Sequence, residues 1–292
     1  MKSLIDAVKT FSDPDVAHGF IRDLRWPTGA VCPECKSIKH YYLAKRRIWK
    51  CRKCSKQFSV KVGTIFESSP IDLGTWLVAL WLVANAKNGI SSCELARSVG
   101  VTQKSAWHMI NRIRQAMDSG SFLLEGEVEV DETYVGGKVR ARGNRKGVKD
   151  KAVVFGALER GGDVQAYSLP DDKPDTLRGA VRSNVAPGAT LYTDMHGAYQ
   201  PLRFEYKHEA VSHDWEWARG EAHTNTIENF WCLYKRCIRG TWVRPSPKHL
   251  DRYTVDQVFR YNLRHTDDCG RFLALSSQVF GRRLTWRNLV GR

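Results

Sequence analysis

Two sets of side chains are candidates for holding cations: the acids Asp131, Asp194 and Glu228, and the cysteines Cys32, Cys35, Cys51 and Cys54. Asp131 lies in GEVEVDETYVGGK, whose span Glu127–Val135 is rich in β-formers and is closed by Gly136-Gly137, so it reads as a strand carrying a carboxylate in its middle. A carboxylate in a half-buried strand is costly unless it is paired or faces a cation. TLYTDMHGAY puts Asp194 at a strand end, just before His196-Gly197, and HTNTIENFWCLYKR puts Glu228 near a helix start. A strand acid, a strand-end acid and a helix acid are the ingredients of a two-metal phosphoryl-transfer site. Magnesium or manganese suits such a set, because hard cations take oxygen ligands and keep several waters. Asp131 would bridge the two cations, with Asp194 on one and Glu228 on the other. The adjacent Glu132 is expected on the opposite face of the strand. Asp171 and Asp172, after a strand, read as a solvated loop pair.

The competing reading of Glu228 is specific. Asn225 can cap a helix running to about Arg239, and Asn225-x-x-Glu228 is then a capping box. Against a cap alone, Lys235 falls two turns on along the same helix face, with Trp231 and Cys232 between and Arg236 and Arg239 at the far end. His223 and Asn225 are additional candidates as ligands or DNA contacts.

The cysteines form CPEC and CRKC, separated by residues 36–50. Two such knuckles place four thiolates tetrahedrally around one structural zinc, leaving no position for water. YYLAKRRIWK between them reads as one strand and KQFSVKVG as another. Lys45, Arg46, Arg47, Lys50, Arg52, Lys53 and Lys56 make this zinc ribbon basic.

The elements that must hold these residues follow from periodicity. A helix is expected over Asp15–Leu24 and an apolar one over Asp72–Asn85. Ser92–Ser98, a turn at Gly100 and a helix from Thr102 to Met117 make a helix-turn-helix. On its second helix Gln103, Lys104, His108, Arg112 and Arg114 are expected to face DNA, with Ala106, Ile110 and Ile113 in the core. Cys93 is expected to be buried. Next, the loop from Lys138 to Lys151 carries seven basic residues against one acid, with Lys138, Arg140, Arg142, Arg145 and Lys146 as phosphate contacts. Two strands joined by a hairpin at Arg160-Gly161-Gly162, a helix over Pro174–Val185, a strand over Ala189–Asp194 and a helix starting at His196–Gln200 complete a ribonuclease-H-like order. In that order the first strand is central and neighbours the fourth, so Asp131 and Asp194 meet. Leu250–His265 is helical, and Arg271–Gly281 with Leu284–Val290 forms a basic amphipathic end.

The totals agree with these motifs. The chain has 292 residues, 46 Lys and Arg against 31 Asp and Glu, and a net charge of +15, an excess that points to a polyanionic partner. Its longest apolar run, Trp76–Ala84, is far shorter than the ~20 residues of a membrane span. The N-terminus has no signal-peptide core, and paired CxxC motifs suit a reducing compartment, so a cytoplasmic, nucleoid-associated protein without a membrane partner is expected. The expected class is multidomain α+β. Its pieces are an N-terminal helix and zinc ribbon (1–63), a helix-turn-helix domain (64–122), a ribonuclease-H-like mixed-sheet core (123–245) and a C-terminal helical region (246–292).

The words CPEC…CRKC, VEVDETYVGGK, LYTDMHGAY and HTNTIENFWCLYKRCIRGTW occur in that order, and with them the chain resembles the bacterial insertion-sequence transposases of the DDE class that carry an N-terminal zinc ribbon, relatives of the Merlin transposases. The resemblance covers nearly all of residues 17–265. It implies magnesium-dependent cleavage and joining of DNA strands and binding of terminal inverted repeats. It places Asp131, Asp194 and Glu228 at the triad and Lys235 at the basic position that follows on the same helix. In parts of that group an Asn replaces the last acid, which makes Asn225 the second choice. Bringing two DNA ends together implies a homodimer or larger assembly. The alternative is a DNA-binding regulator that keeps an inactive transposase fold.

Overall fold

A computed structural model describes residues 1–136, 151–211 and 223–291. The chain divides into two compact units, Met1–Asp118 with His265–Arg292, and Ser119–Arg264. The expected C-terminal region 246–292 is thus shared: its first helix belongs to the second unit and the remainder to the first.

In the first unit, α1 (Leu4–Phe11) opens on a capping box between Ser3 and Asp6, and α2 (Pro14–Arg25) follows under an Asp13 cap. The sequence reading contained α2 but not α1. The single strand expected across 41–50 is instead a hairpin of β1 (His40–Leu43) and β2 (Ile48–Cys51). A 3-10 turn at Ala44–Arg46, closed by Arg47 in the left-handed region (φ 51), reverses the chain there. β3 (Gln57–Phe58) adds to β2. α3 (Leu73–Asn85) is capped by Asp72 and is apolar nearly all round, with Trp76, Leu77, Leu80 and Trp81 buried, as a helix enclosed by its neighbours must be.

α4 (Ser92–Val99) ends at Gly100, which takes the left-handed conformation (φ 70) that the tight turn requires. α5 (Gln103–Met117) starts under a Thr102 cap, completing the helix-turn-helix. Ala106, Ile110 and Ile113 are buried as expected. Cys93, expected to be buried, is exposed at the second position of α4, in the first turn ahead of the buried Leu95 and Ala96.

The second unit is built on β4 (Glu127–Val135), β5 (Ala152–Glu159) and β6 (Val164–Leu169), which pair antiparallel in sequence. α6 (Pro174–Asn184) crosses to β7 (Thr190–Asp194), which pairs parallel with β4. β8 (Lys207–Val211) adds parallel to β7, giving the order β6-β5-β4-β7-β8 among the described residues. This mixed sheet, with its first strand central and beside the fourth, has the expected ribonuclease-H-like order. β8 was not expected, and the helix expected from His196 is only a 3-10 turn at Gln200–Phe204.

α7 (Asn225–Cys237) and α8 (Leu250–Asn262) close the unit. One sheet face packs Val128, Val130 and Leu191 against Leu177, Val181, Tyr199 and Leu202. The other packs Val154, Leu158 and Val164 against Ile227, Phe230, Tyr234 and Leu250. The alternation of β4 therefore turns Val128 and Val130 toward α6, and Glu129, Asp131 and Val135 toward α7. Back in the first unit, α9 (Asp268–Ser277) packs on α3, and α10 (Trp286–Val290) ends the described chain. No helix among the described residues is long and apolar enough to cross a membrane.

Candidate active site and metal centre

The four ribbon cysteines have Sγ atoms within 4.8 Å of one another, the sole group among the described residues with three or more potential metal ligands so close. The Cys32–Cys54 and Cys35–Cys51 Sγ separations are 3.6 and 3.5 Å. A tetrahedron with Zn–S bonds of about 2.3 Å has edges of roughly 3.8 Å, so the four thiols fit a structural zinc. The Cys51 thiol is lowered to about 6, first by the backbone N–H of Cys54 and also by that of Lys53. Thiolates stabilised by knuckle amides are what the metal needs.

The acids are arranged differently. β4 and β7 pair Glu127 with Thr190 and Glu129 with Tyr192. Continuing that offset by two residues sets Asp131 beside Asp194, on the same face. Asp131 is pushed up to about 7, by burial first and then by the negative charges of Glu132 and Asp194. Trp231 Nε1, from α7, donates to Asp131 Oδ2 at 3.0 Å. Asp194 is half-buried, and its Oδ1 accepts from the backbone N–H of His196 at 3.0 Å. Glu228 is half-buried on α7, one turn before Trp231. Asp131, Asp194 and Glu228 thus lie on facing elements, but they are not drawn within the reach of one ion.

Glu132 leaves the opposite face of β4, as alternation requires, and Tyr199 donates to its Oε2 at 2.6 Å. Its carboxyl is also raised, by burial first, with the Tyr199 hydroxyl opposing. Asp172 accepts from Tyr134 at 3.1 Å, while Asp171 is occupied by Lys173 and Thr176.

The start of α7 corrects the sequence reading. Thr224, not Asn225, is the N-cap, and it makes no side-chain cap hydrogen bond. Asn225 is the first helical residue and is exposed, so no capping box forms between it and Glu228. The cap comes from across the sheet. Glu129, 0% exposed, accepts from the backbone N–H groups of Thr226 and Ile227, both at 2.9 Å, and from Thr226 Oγ1 at 3.0 Å. Arg160 Nε donates to Glu129 at 2.8 Å, and Arg160 Nη2 donates to the carbonyl of His223 at 2.8 Å. The Arg160 guanidinium also stacks on Tyr192, 3.9 Å from its ring centre. His223 Nδ1 lies 3.2 Å from Glu129 Oε1, so His223 belongs to this anchor.

Two of these residues escaped the sequence reading. Glu129 was detectable, since it shares the Asp131 face by alternation. Gly156 was not, because its importance depends on pairing opposite Asp131. A Cβ there would come within 2.6 Å of the Trp231 ring, so only glycine lets Trp231 lie over β5 and reach Asp131.

The expected DNA contacts divide. Gln103 and Lys104 are exposed on α5. Gln103 is held by Ser92 at 2.8 Å, and Lys104 lies over the Trp286 ring at 5.0 Å. Arg112 is a correction: it is 6% exposed, and its guanidinium donates to the carbonyls of Ile65, Glu67 and Leu284. Arg114, 2% exposed, is likewise not a surface residue. Helical spacing set both on the outer face, but Arg112 is enclosed by the carbonyls of Ile65 and Glu67 and by Leu284 of the C-terminal segment, which belongs to the same unit. His108 is half-buried against Trp286, and its ring is lowered to about 4, by burial first and then by the Arg112 charge. On α7 Lys235 is half-buried and Arg236 exposed, and Arg239 is exposed in the π-turn Ile238–Trp242 that follows. Lys138, Arg140, Arg142, Arg145 and Lys146 lie outside the described residues.

Comparison with known proteins adds to this geometry. Residues 123–262 match the ISXO2-like transposase domain, and residues 12–57 match the transposase zinc-ribbon domain. A protein in transposable element ISH50 of Halobacterium salinarum is 27% identical over 259 residues, covering 82% of this chain and 86% of that protein. A chain of the solved Mos1 strand transfer complex aligns with a TM-score of 0.29 and 10% identity, over 69% of this chain and 74% of that one, a likeness too slight to fix anything here. The two matched domains, in this order and with the ribbon cysteines and mixed sheet in place, put the chain among the insertion-sequence transposases that carry an N-terminal zinc ribbon.

Proposed function

We propose that the chain binds the terminal inverted repeats of its element, hydrolyses the 3′ ends and transfers them into target DNA, with Asp131, Asp194 and Glu228 as the catalytic acids. The observation that carries this reading is Asp131, raised to about 7 beside Asp194 on a neighbouring parallel strand. Such a carboxylate lacks positive charge, and an oxygen donor set of this kind fits magnesium or manganese. Two such cations would supply charge stabilisation for in-line displacement at phosphorus. The residues themselves do the remaining work. Asp131, Asp194 and Glu228 would hold the cations, and Trp231 orients Asp131. Lys235 and Arg236 on α7, and Arg239 in the π-turn that follows, would receive phosphates. Gln103 and Lys104 are the DNA contacts retained on the helix-turn-helix, with the basic loop residues Lys138, Arg140, Arg142, Arg145 and Lys146 as further phosphate contacts. A homodimer or larger assembly on double-stranded DNA, in the cytoplasm at the nucleoid, completes the proposal.

The test is nicking of a supercoiled plasmid bearing the element's own ends, with magnesium or manganese, beside Asp131→Ala. Metal-dependent 3′-end nicking that disappears in the variant, at unchanged zinc content, is the expected result. DNA binding without cutting by either protein would leave the regulator reading instead. Cutting that survives Asp131→Ala would mean that the catalytic acids lie elsewhere.

A further inference from the structure

We infer that Glu129 is a positioning residue that sets the helix carrying Glu228 in register with the strand carrying Asp131; the inference rests on the catalytic reading above. Three observations meet at this residue. Glu129 is fully buried, although a carboxylate is among the most expensive groups to bury. Its oxygens serve the first turn of α7, accepting from the backbone N–H groups of Thr226 and Ile227 and from the Thr226 hydroxyl. Its charge is matched by Arg160, which also holds the His223 carbonyl just ahead of the helix. The helix therefore borrows its cap from the catalytic strand, two residues before Asp131.

A second tie lies one turn further on, where Trp231 donates to Asp131. The two ties are commensurate. From Ile227 to Trp231 the helix rises four residues, about 6 Å. From Glu129 to Asp131 the strand advances two residues, about 6.6 Å. Helix and strand are thus joined at two points of nearly equal spacing, and Glu228 lies between them. A slide or tilt of α7 that moved Glu228 from Asp131 would break charged hydrogen bonds at Glu129 first. A hydrophobic residue at 129 could fill the space but could not receive the helix's N–H groups.

The test uses the zinc-loaded full chain and Mn2+ as the probe, with binding read by calorimetry and nicking read against Mn2+ concentration. Orienting partners of this kind typically set about 10–100-fold in metal affinity. Glu129→Ala is expected to raise the Mn2+ dissociation constant and the half-saturating Mn2+ concentration by about tenfold or more, and to speed hydrogen exchange at the Thr226 and Ile227 amides. Glu129→Gln keeps an acceptor for the helix but turns an N–H2 toward Arg160. It is expected to shift the Mn2+ response less than alanine does, and it carries the test if the alanine variant fails to fold. A lowered melting temperature with an unchanged Mn2+ response in the folded protein would reduce Glu129 to a structural ion pair and overturn the inference. Asp131→Ala, run beside them, separates the two claims. If it binds Mn2+ and cuts like the parent, the catalytic reading fails and the inference falls with it, whatever the Glu129 variants do.

Discussion

The ribbon and the mixed sheet present two ways of preparing a chain for a cation. In the ribbon the four Sγ atoms already lie within the span of one ion, on two short knuckles whose own amides stabilise a thiolate. In the sheet the acids come from a strand, a strand end and a helix, and burial, followed by the charges of Glu132 and Asp194, pushes Asp131 up to about 7. One site is built by local chain geometry and the other by packing between distant segments. A zinc ribbon has little core of its own, so its metal contributes to folding directly. The acid site has a full core on both sheet faces and can keep its carboxylates apart at a cost the core sustains.

The largest effect that would break this comparison lies in the ribbon. Cys51→Ser is expected to remove the bound zinc and hydrogen-exchange protection across residues 32–58, leaving the sheet at 127–211 protected. Apparent zinc-binding energies of about 10–16 kcal/mol in small zinc domains set the scale. Zinc analysis and exchange mass spectrometry check it, and loss of protection in both units together would contradict it.

Asp131→Asn is the next largest and has the opposite sign. The folded carboxyl is raised from 3.8 to about 7, so the folded state holds a proton that the unfolded chain has released. Below the unfolded value there is no penalty. As pH rises from about 4 to 7 folding loses stability, and above 7 the whole penalty applies. The substitution is therefore expected to stabilise the magnesium-free, zinc-loaded protein by nothing at pH 4 and by up to a few kcal/mol, on the order of 4 at most, at pH 8. Denaturant unfolding at the two pH values checks this, and a gain that did not grow with pH would exclude it.

Gly156→Ala should sharpen the contrast by moving Trp231 off Asp131. Overpacking of this kind costs about 1–3 kcal/mol. Melting curves read that cost, and a change in Mn2+-dependent quenching of tryptophan fluorescence would report the displaced indole. Smallest is Lys56→Ala, which removes the exposed Lys56–Glu34 pair of the ribbon. Little or no change in the melting temperature is expected, because a solvated pair contributes little beside the metal. A larger loss in zinc-loaded protein would show that surface charge, not the thiolates, holds the ribbon.

Features that depend on short-range chemistry are readable from the residues alone. The CxxC pairs specify four convergent thiols, Gly100 specifies the turn between α4 and α5, and the β-formers of Glu127–Val135 specify the strand that carries Asp131. The order of the first four sheet strands was also legible, because hairpins and one helical crossover leave few ways to connect them. Other features depend on packing between distant segments. Arg112 reads as a surface cation on a recognition helix, yet residues that follow some 170 positions later, around Leu284, supply a carbonyl that buries it. Asn225-x-x-Glu228 reads as a self-contained cap, yet the helix is capped by Glu129, 97 residues earlier. Gly156 carries no local signal, and its role exists only because Trp231 lies over it. In each case the deciding partner is distant in sequence. Burial and hydrogen-bond satisfaction are properties of the packed chain, and residue spacing within one element cannot encode them.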